Sequence, residues 1–295
     1  MADEIVKVAA IAMHSEMGDV DGNLARVQQW TCEAGEQGAR FALFTEECIT
    51  GSLNKSDLGL DEARGIAQYA AEKSVPYLAA LCRDMQMTVL VGTIEPVGER
   101  LGNRLLIVGP EGHLATFGKL HLPNANERAW FVPGESLAVV TSQGWTFSAG
   151  ICYDLRFPEI FRAAAAAGAE FFLLAVGGSG AIEAIGADGQ QQAQALYHRK
   201  LALQLMPARA VDNGLYVFYA NQAGKSGNAW FPGLCLAVDP QGELVAEHHP
   251  DEGMIVVEVS RAALVQARSG GACTLGQVRP QVYARPQKIA PLRQT

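Results

Sequence analysis

The chain has 295 residues, of which 49% are hydrophobic and 18% charged, a globular composition long enough for one large domain or two ordinary ones. Its formal net charge of −8 comes without a basic block, which argues against nucleic acid or an anionic membrane as partner and suits small-molecule work. The opening M-A-D-E-I-V-K-V lacks a basic region leading into a signal-type core, and no apolar run reaches the ~20 residues of a membrane span, so a cytoplasmic protein is expected.

In chain order, Val6 to Met13 reads as a buried strand, and Asp19 to Gly38 as a helix through Leu24, Val27, Trp30 and Ala34. Phe41 to Phe44 is a short apolar strand that stops at Glu46 and Glu47, before Gly51 and Ser52 open a loop. A second helix spans Asp61 to Met85, followed by strands at Thr88 to Glu95 and Arg104 to Val108. After the turn Pro110-Glu111-Gly112, the run Leu114 to Leu122 reads as a strand whose alternation places Lys119 and His121 on one face.

The apolar run through Trp145, Phe147 and Ile151 delivers Cys152 to a corner, beyond which Pro158 to Gly168 is helical and Phe171 to Val176 is a buried strand. A cysteine at a strand-to-helix corner presents its sulfur, and the helix N-terminus beyond favours a thiolate. From Gly177 to Gln194 the glycines and the glutamines 190–192 read as a mobile surface excursion, its last part helical. A helix then ends near Asn213-Gly214, and strands follow at Leu215 to Ala220, Leu234 to Val238, Glu243 to Glu247 and Met254 to Val259. From Gly270 onward, with Pro280, Pro286 and Pro291, no periodic pattern holds and the tail is expected to pack on the domain or on a neighbouring subunit.

Strands and helices alternate in each half with paired strands between, the pattern of an α/β four-layer α-β-β-α sandwich: two stacked mixed sheets with helices outside. The six cysteines, Cys32, Cys48, Cys82, Cys152, Cys235 and Cys273, are scattered without a C-x-x-C pair or a histidine at ligand spacing. They read as reduced thiols, with no metal site and no cofactor. Glu46, Lys119 and Cys152 all stand at strand ends, where a sheet can bring a base, an oxyanion donor and a nucleophile to one rim.

Three segments resemble, in order, the three signatures of the nitrilase superfamily of carbon-nitrogen hydrolases. L-F-T-E-E-C-I-T-G resembles the glutamate segment, F-G-K-L-H-L-P-N-A-N-E-R-A-W-F-V-P-G the lysine segment, and G-I-C-Y-D-L-R-F-P-E the cysteine segment. The likeness extends from V-A-A-I-A-M through A-R-A-V-D-N-G to the final strands, about residue 260, and implies one hydrolase domain over 1–268 and a tail over 269–295. It implies Cys152 as nucleophile, Glu46 as general base, Lys119 as oxyanion stabiliser and Glu127 as the second glutamate that positions substrate and supports the lysine. The spacing to Gly51 selects Glu46 over Glu47, although the family's usual proline before the base is Thr45 here.

C-Y-D-L-R-F-P-E resembles the amidase branches, omega-amidase-like proteins in particular, more than the C-W-E of true nitrilases. A small-molecule amide is therefore the expected substrate, with carbamoyl compounds and nitriles as alternatives. Tyr153, through its backbone N–H, and Arg156 and His121 are further substrate-site candidates. Arg156 suits either a substrate carboxylate or a salt bridge near Asp154 or Glu159, and His121 a packed or hydrogen-bonded helper.

Where relatives have P-x-A-F and a His-Trp pair, this chain has A-V-G-G-S-G, so Gly177 to Tyr197 is expected to border or cover the pocket. The resemblance also implies a homo-oligomer, paired through helices next to the cysteine segment. Two other classes fit less well. A catalytically silent interaction protein has no need of all four residues, and a thiol redox sensor has no resolving-cysteine motif here.

Overall fold

The computed structural model describes residues 3–181 and 188–283, and within them the strands form two mixed sheets packed face to face. The first sheet takes β1 (Ile5–Ala12), β2 (Phe41–Leu43), β3 (Thr88–Val97), β4 (Arg100–Gly109) and β5 (Gly112–Gly118). The second takes β6 (Val139–Ser142), β7 (Trp145–Ile151), β8 (Phe171–Val176), β9 (Gly180–Ala181), β10 (Tyr216–Ser226), β11 (Ala229–Val238) and β12 (Leu244–His248). The chain then returns to the first sheet as β13 (Gly253–Ser260), giving the orders β13-β1-β2-β3-β4-β5 and β12-β11-β10-β8-β7-β6, with β9 on β11.

Helices α1 (Val20–Glu36) and α2 (Leu60–Met85) cover the first sheet; α3 (Ala125–Trp130) is a short turn of helix near the rim; α4 (Pro158–Ala166) and α5 (Asp188–Asn213) cover the second. This is the four-layer α-β-β-α sandwich expected. The central strands β1, β2 and β3 are parallel, as are β7, β8 and β10, and each is buried on both faces. That double burial is why apolar residues dominate these strands, β8 being an unbroken apolar run. Along β1, Val6, Val8, Ala10 and Ala12 face the second sheet, while Ala9, Ile11 and Met13 face the helices. Between the sheets, Phe41 meets Phe147 and Phe171 edge-on at 5.5 and 5.3 Å, packing the start of β2 against β7 and β8 within the core.

Two expectations are corrected. β5 ends at Gly118, so Lys119 and His121 do not share a strand face: Lys119 is buried, and His121 turns away to Asp154. The cause is local. Asp154 accepts the N–H groups of His121 at 3.0 Å and Leu120 at 3.4 Å, donors a longer strand would have given to its neighbour. Second, Gly177 to Ala181 is no surface excursion, because Gly177 and Gly178 are buried and β9 pairs antiparallel with Ala229 and Trp230. Helix α5 already begins at Asp188, and residues 182–187 lie outside the described residues.

After β13, α6 (Arg261–Ser269) follows directly, and a 3-10 turn (Leu275–Gln277) precedes α7 (Pro280–Tyr283). The N–H of Thr274 donates to Asp212 at 3.1 Å and Arg162 donates to the Thr274 hydroxyl at 2.8 Å, so this start of the tail packs on its own chain. Residues 284–295 lie outside the described residues. No helix among those described is long and apolar enough to cross a membrane.

Candidate active site

Glu46 follows the end of β2, where the chain leaves the sheet across Gly92 of β3. A Cβ on Gly92 would stand 2.3 Å from the Thr45 carbonyl oxygen and 2.5 Å from the Glu47 nitrogen, so only glycine permits this close crossing. The Glu46 carboxylate is buried and satisfied on both oxygens. Its Oε1 accepts from Lys119 Nζ and Asn103 Nδ2, each at 2.8 Å, and its Oε2 accepts from the Gly177 N–H at 2.7 Å. Lys119 is 1% exposed and makes a second ion pair, at 2.6 Å, to Glu127 on α3. Asn124 caps that helix by accepting the Glu127 N–H at 2.9 Å, which fixes the second carboxylate in place.

Burial opposes every charge in this cluster, and the neighbours decide which survive. Burial pushes the Glu46 carboxyl up, but the charges of Lys119 and Lys55, with hydrogen bonds from Lys119 and Asn103, hold it below the usual range. Burial likewise works against the Lys119 cation, yet Glu46, Cys152 and Glu127 together keep it well above the ordinary lysine value. Glu127 is raised by burial and only partly relieved by Lys119. The result is a lysine that stays charged beside an ionised glutamate.

Cys152 opens a 3-10 turn (Cys152–Arg156) at the end of β7 with φ +47, a left-handed conformation that costs a non-glycine residue roughly 1–2 kcal/mol. Asp154 holds it there. This fully buried carboxylate accepts the Ile151 N–H at 3.0 Å and the His121 ring Nδ1 at 2.7 Å, besides the two N–H groups already named. It thus ties the cysteine corner to the segment that carries Lys119. Asp154→Ala is expected to cost about 3 kcal/mol, because several buried donors lose one charged acceptor; urea unfolding reads it, and a loss below about 1 kcal/mol contradicts the bracing role.

Burial pushes the Cys152 thiol up, and Glu46 adds to this while Lys119 opposes it. The resting thiol therefore keeps its proton until a base removes it, and Glu46 is the ionised carboxylate in electrostatic reach. Tyr153, His121 and Arg156 sit outside this buried cluster. The His121 ring stacks on Phe157 at 3.4 Å and, with Tyr153, Leu120, Phe131 and Arg128, lines an open groove of ≈ 490 Å³. Arg156 is exposed, lies 5.5 Å over the Tyr153 ring and points a nitrogen at the Tyr197 hydroxyl 3.4 Å away. Among the described residues it pairs with neither Asp154 nor Glu159.

Sequence reading missed Asn103, Lys55 and the bracing role of Asp154. Asn103 gave no pattern signal, lying between Gly102 and Arg104 ahead of the apolar residues Leu105 to Val108 of β4. Lys55, in a 3-10 turn (Leu53–Lys55), donates to the Gly177 carbonyl at 2.8 Å and so clamps the residue whose N–H holds Glu46. The expectation that the segment after Val176 borders the site holds for Gly177 and Gly178. A Cβ on Gly177 would come 2.9 Å from Glu46 Oε2, and one on Gly178 would come 2.5 Å from the His198 ring. His198, on α5, is pushed down to about 4 by burial and by Lys55, and stays neutral. No group of three or more His, Cys, Asp or Glu side chains among the described residues is placed to hold a metal ion.

Comparison with known proteins places this geometry. The family model for carbon-nitrogen hydrolases matches residues 7–269. A chloroplastic omega-amidase of Arabidopsis thaliana is 30% identical over 269 residues, 86% of this chain and 68% of that protein. A nitrilase of Pyrococcus abyssi is 28% identical over 244 residues, 82% of this chain and 84% of its own. In structure, the amidase of Nesterenkonia sp. AN1 superposes with a TM-score of 0.77 at 25% identity, covering 95% of this chain and 98% of that one. That structure, a glutamate-to-glutamine mutant, carries the product of acrylamide addition at its active-site cysteine.

Proposed function

The chain belongs to the carbon-nitrogen hydrolase family, and we propose that it hydrolyses a small-molecule amide to a carboxylic acid and ammonia through a thioester on Cys152. The observation that carries the proposal is the buried Glu46–Lys119–Glu127 chain of ion pairs, at 2.8 and 2.6 Å, within electrostatic reach of a strained cysteine. The omega-amidase and amidase relatives favour amides over nitriles.

In the proposed reaction Glu46 takes the Cys152 proton as sulfur attacks the carbonyl carbon. Lys119 and the Tyr153 backbone N–H stabilise the oxyanion, each donor worth about 3 kcal/mol in a dry site. Glu46 passes its proton to the nitrogen, the C–N bond breaks, and ammonia leaves with the thioester formed. Glu46 then takes a proton from water, hydroxide adds to the thioester, and the C–S bond breaks to release the acid. The returning proton restores the thiol. Glu127 holds Lys119 at the oxyanion and meets the substrate.

The test is ammonia release from a panel of amides, carbamoyl amino acids and nitriles, with the acyl-enzyme trapped for mass spectrometry. Amides are expected to turn over and to leave their acyl group on Cys152. An adduct on another cysteine, or turnover of nitriles alone, rejects the proposal.

A further inference from the structure

Glu47 stands next to the proposed base and has no part in the reaction described. It is 2% exposed, and its backbone is left-handed at φ +56. The contact with Gly92 leaves this peptide no room to move. Its Oε1 accepts from Asn103 Nδ2 at 3.1 Å, the same nitrogen that donates to Glu46 Oε1 at 2.8 Å. One amide group thus feeds two adjacent buried carboxyls, while the ion pairs of Lys119 go to Glu46 and Glu127. Among the described residues no cation lies within ion-pair distance of Glu47.

Two adjacent carboxyls in a dry site, each taking one hydrogen of the same NH2 group, cannot both ionise cheaply because like charges repel there. Glu46 has the lysine, so the proton resides on Glu47. Burial and the Glu46 charge push Glu47 up to about 7, with Glu127 adding to the rise and Lys55 and Lys119 opposing it.

We propose that Glu47 is a positioning residue of this site: as a neutral acid it leaves the Asn103 amide on Glu46, and its ionisation puts a second negative charge there that slows the chemistry of Cys152. The proton lost goes to bulk water. The ionised form competes with Glu46 for the Lys119 charge and opposes formation of the thiolate. The activity consequence rests on the amide-hydrolase reading; the ionisation itself does not.

Glu47→Gln tests it, because glutamine keeps the acceptor oxygen and cannot ionise. The first measurement is the rate of Cys152 alkylation by iodoacetamide, followed by mass spectrometry, which needs no substrate. The ratio of variant to unmutated rate is expected to rise severalfold between about pH 6 and about pH 8.5, with a midpoint near 7. A group raised in the folded state costs stability once pH exceeds its unfolded value, so the variant should gain more in Tm at about pH 8.5 than at about pH 5. A glutamate held only for its hydrogen bond would show the same change at both.

Glu47→Ala, which removes the acceptor together with the charge, should slow alkylation at about pH 6, where the glutamine variant keeps the rate, and lose that deficit toward about pH 8.5. In the unmutated protein a protonated-carboxyl infrared band must be present near pH 6 and bleach with the same midpoint. A pH-independent ratio, absence of that band, or a glutamine variant as unreactive as Glu46→Gln at all pH overturns the proposal. Failure of the amide reading looks different: no panel compound releases ammonia, while alkylation and Tm still follow the Glu47 proton.

Discussion

Cys152→Ala is expected to lower ammonia release by about 10⁴-fold or more while leaving the fold intact, since loss of a nucleophile removes the covalent route entirely. No other cysteine can substitute. Cys48 and Cys82 are fully buried, their thiols pushed up to about 12 by burial and their sulfurs turned to the Gly92 and Val108 carbonyls. Cys235 lies in the core between the sheets, and Cys273 and Cys32 lie against Asp212 and Met85. Alanine accepts the φ of +47 no better and no worse than cysteine, so the stability change should stay under about 1 kcal/mol. Ammonia release and thermal unfolding measured together separate the two effects. Retention of even a hundredth of the activity would move the nucleophile elsewhere.

How much of this was legible depended on where each constraint resides. Phe171 to Val176 announces itself because burial on both faces excludes polar residues from the run itself, and Val6 to Met13 does so with half-buried Lys7 as its one polar residue. Glu46, Lys119, Cys152 and Glu127 were found through segments that resemble a family, and the structure brings Glu46, Lys119 and Glu127 into one ion-paired chain. Alternation failed at His121 because Asp154, thirty-three residues further on, takes the backbone donors after Gly118. Gly177 and Gly178 read as loop glycines, whereas their missing Cβ atoms make room for Glu46 and His198, partners 131 and 20 residues distant. Asn103 and Lys55 are similar cases: what makes them matter is a neighbour no local pattern encodes. Local spacing shows what an element buries, and leaves open what a strand end meets across the rim.

Lys119→Met is expected to cost about 10³-fold in rate and about 3–5 kcal/mol in stability, and the stability loss should depend on pH. Methionine matches the length of lysine but leaves Glu46 and Glu127 buried without their cation. In the unmutated protein Glu46 lies below its usual value and Lys119 well above. The glutamate contribution is therefore present above the unfolded carboxylate value of about 4.5 and is lost as pH falls through the lower folded value. The lysine contribution is present below its unfolded value of about 10.5 and is lost only as pH climbs past the raised one. Both are in force at neutral pH.

Without Lys119, its charge and hydrogen bond no longer offset burial and Glu46 rises, so the variant loses stability as pH rises beyond about 4.5. The difference between the two proteins should be largest near pH 8 and shrink toward about pH 4, where the variant's carboxyls are protonated. Urea midpoints at the two pH values measure it. The same protonation explains why the rate falls further than loss of one oxyanion donor requires: a raised Glu46 holds its proton at neutral pH and cannot take that of Cys152. Equal destabilisation at both values would mean that packing, rather than its two carboxylates, keeps Lys119 buried.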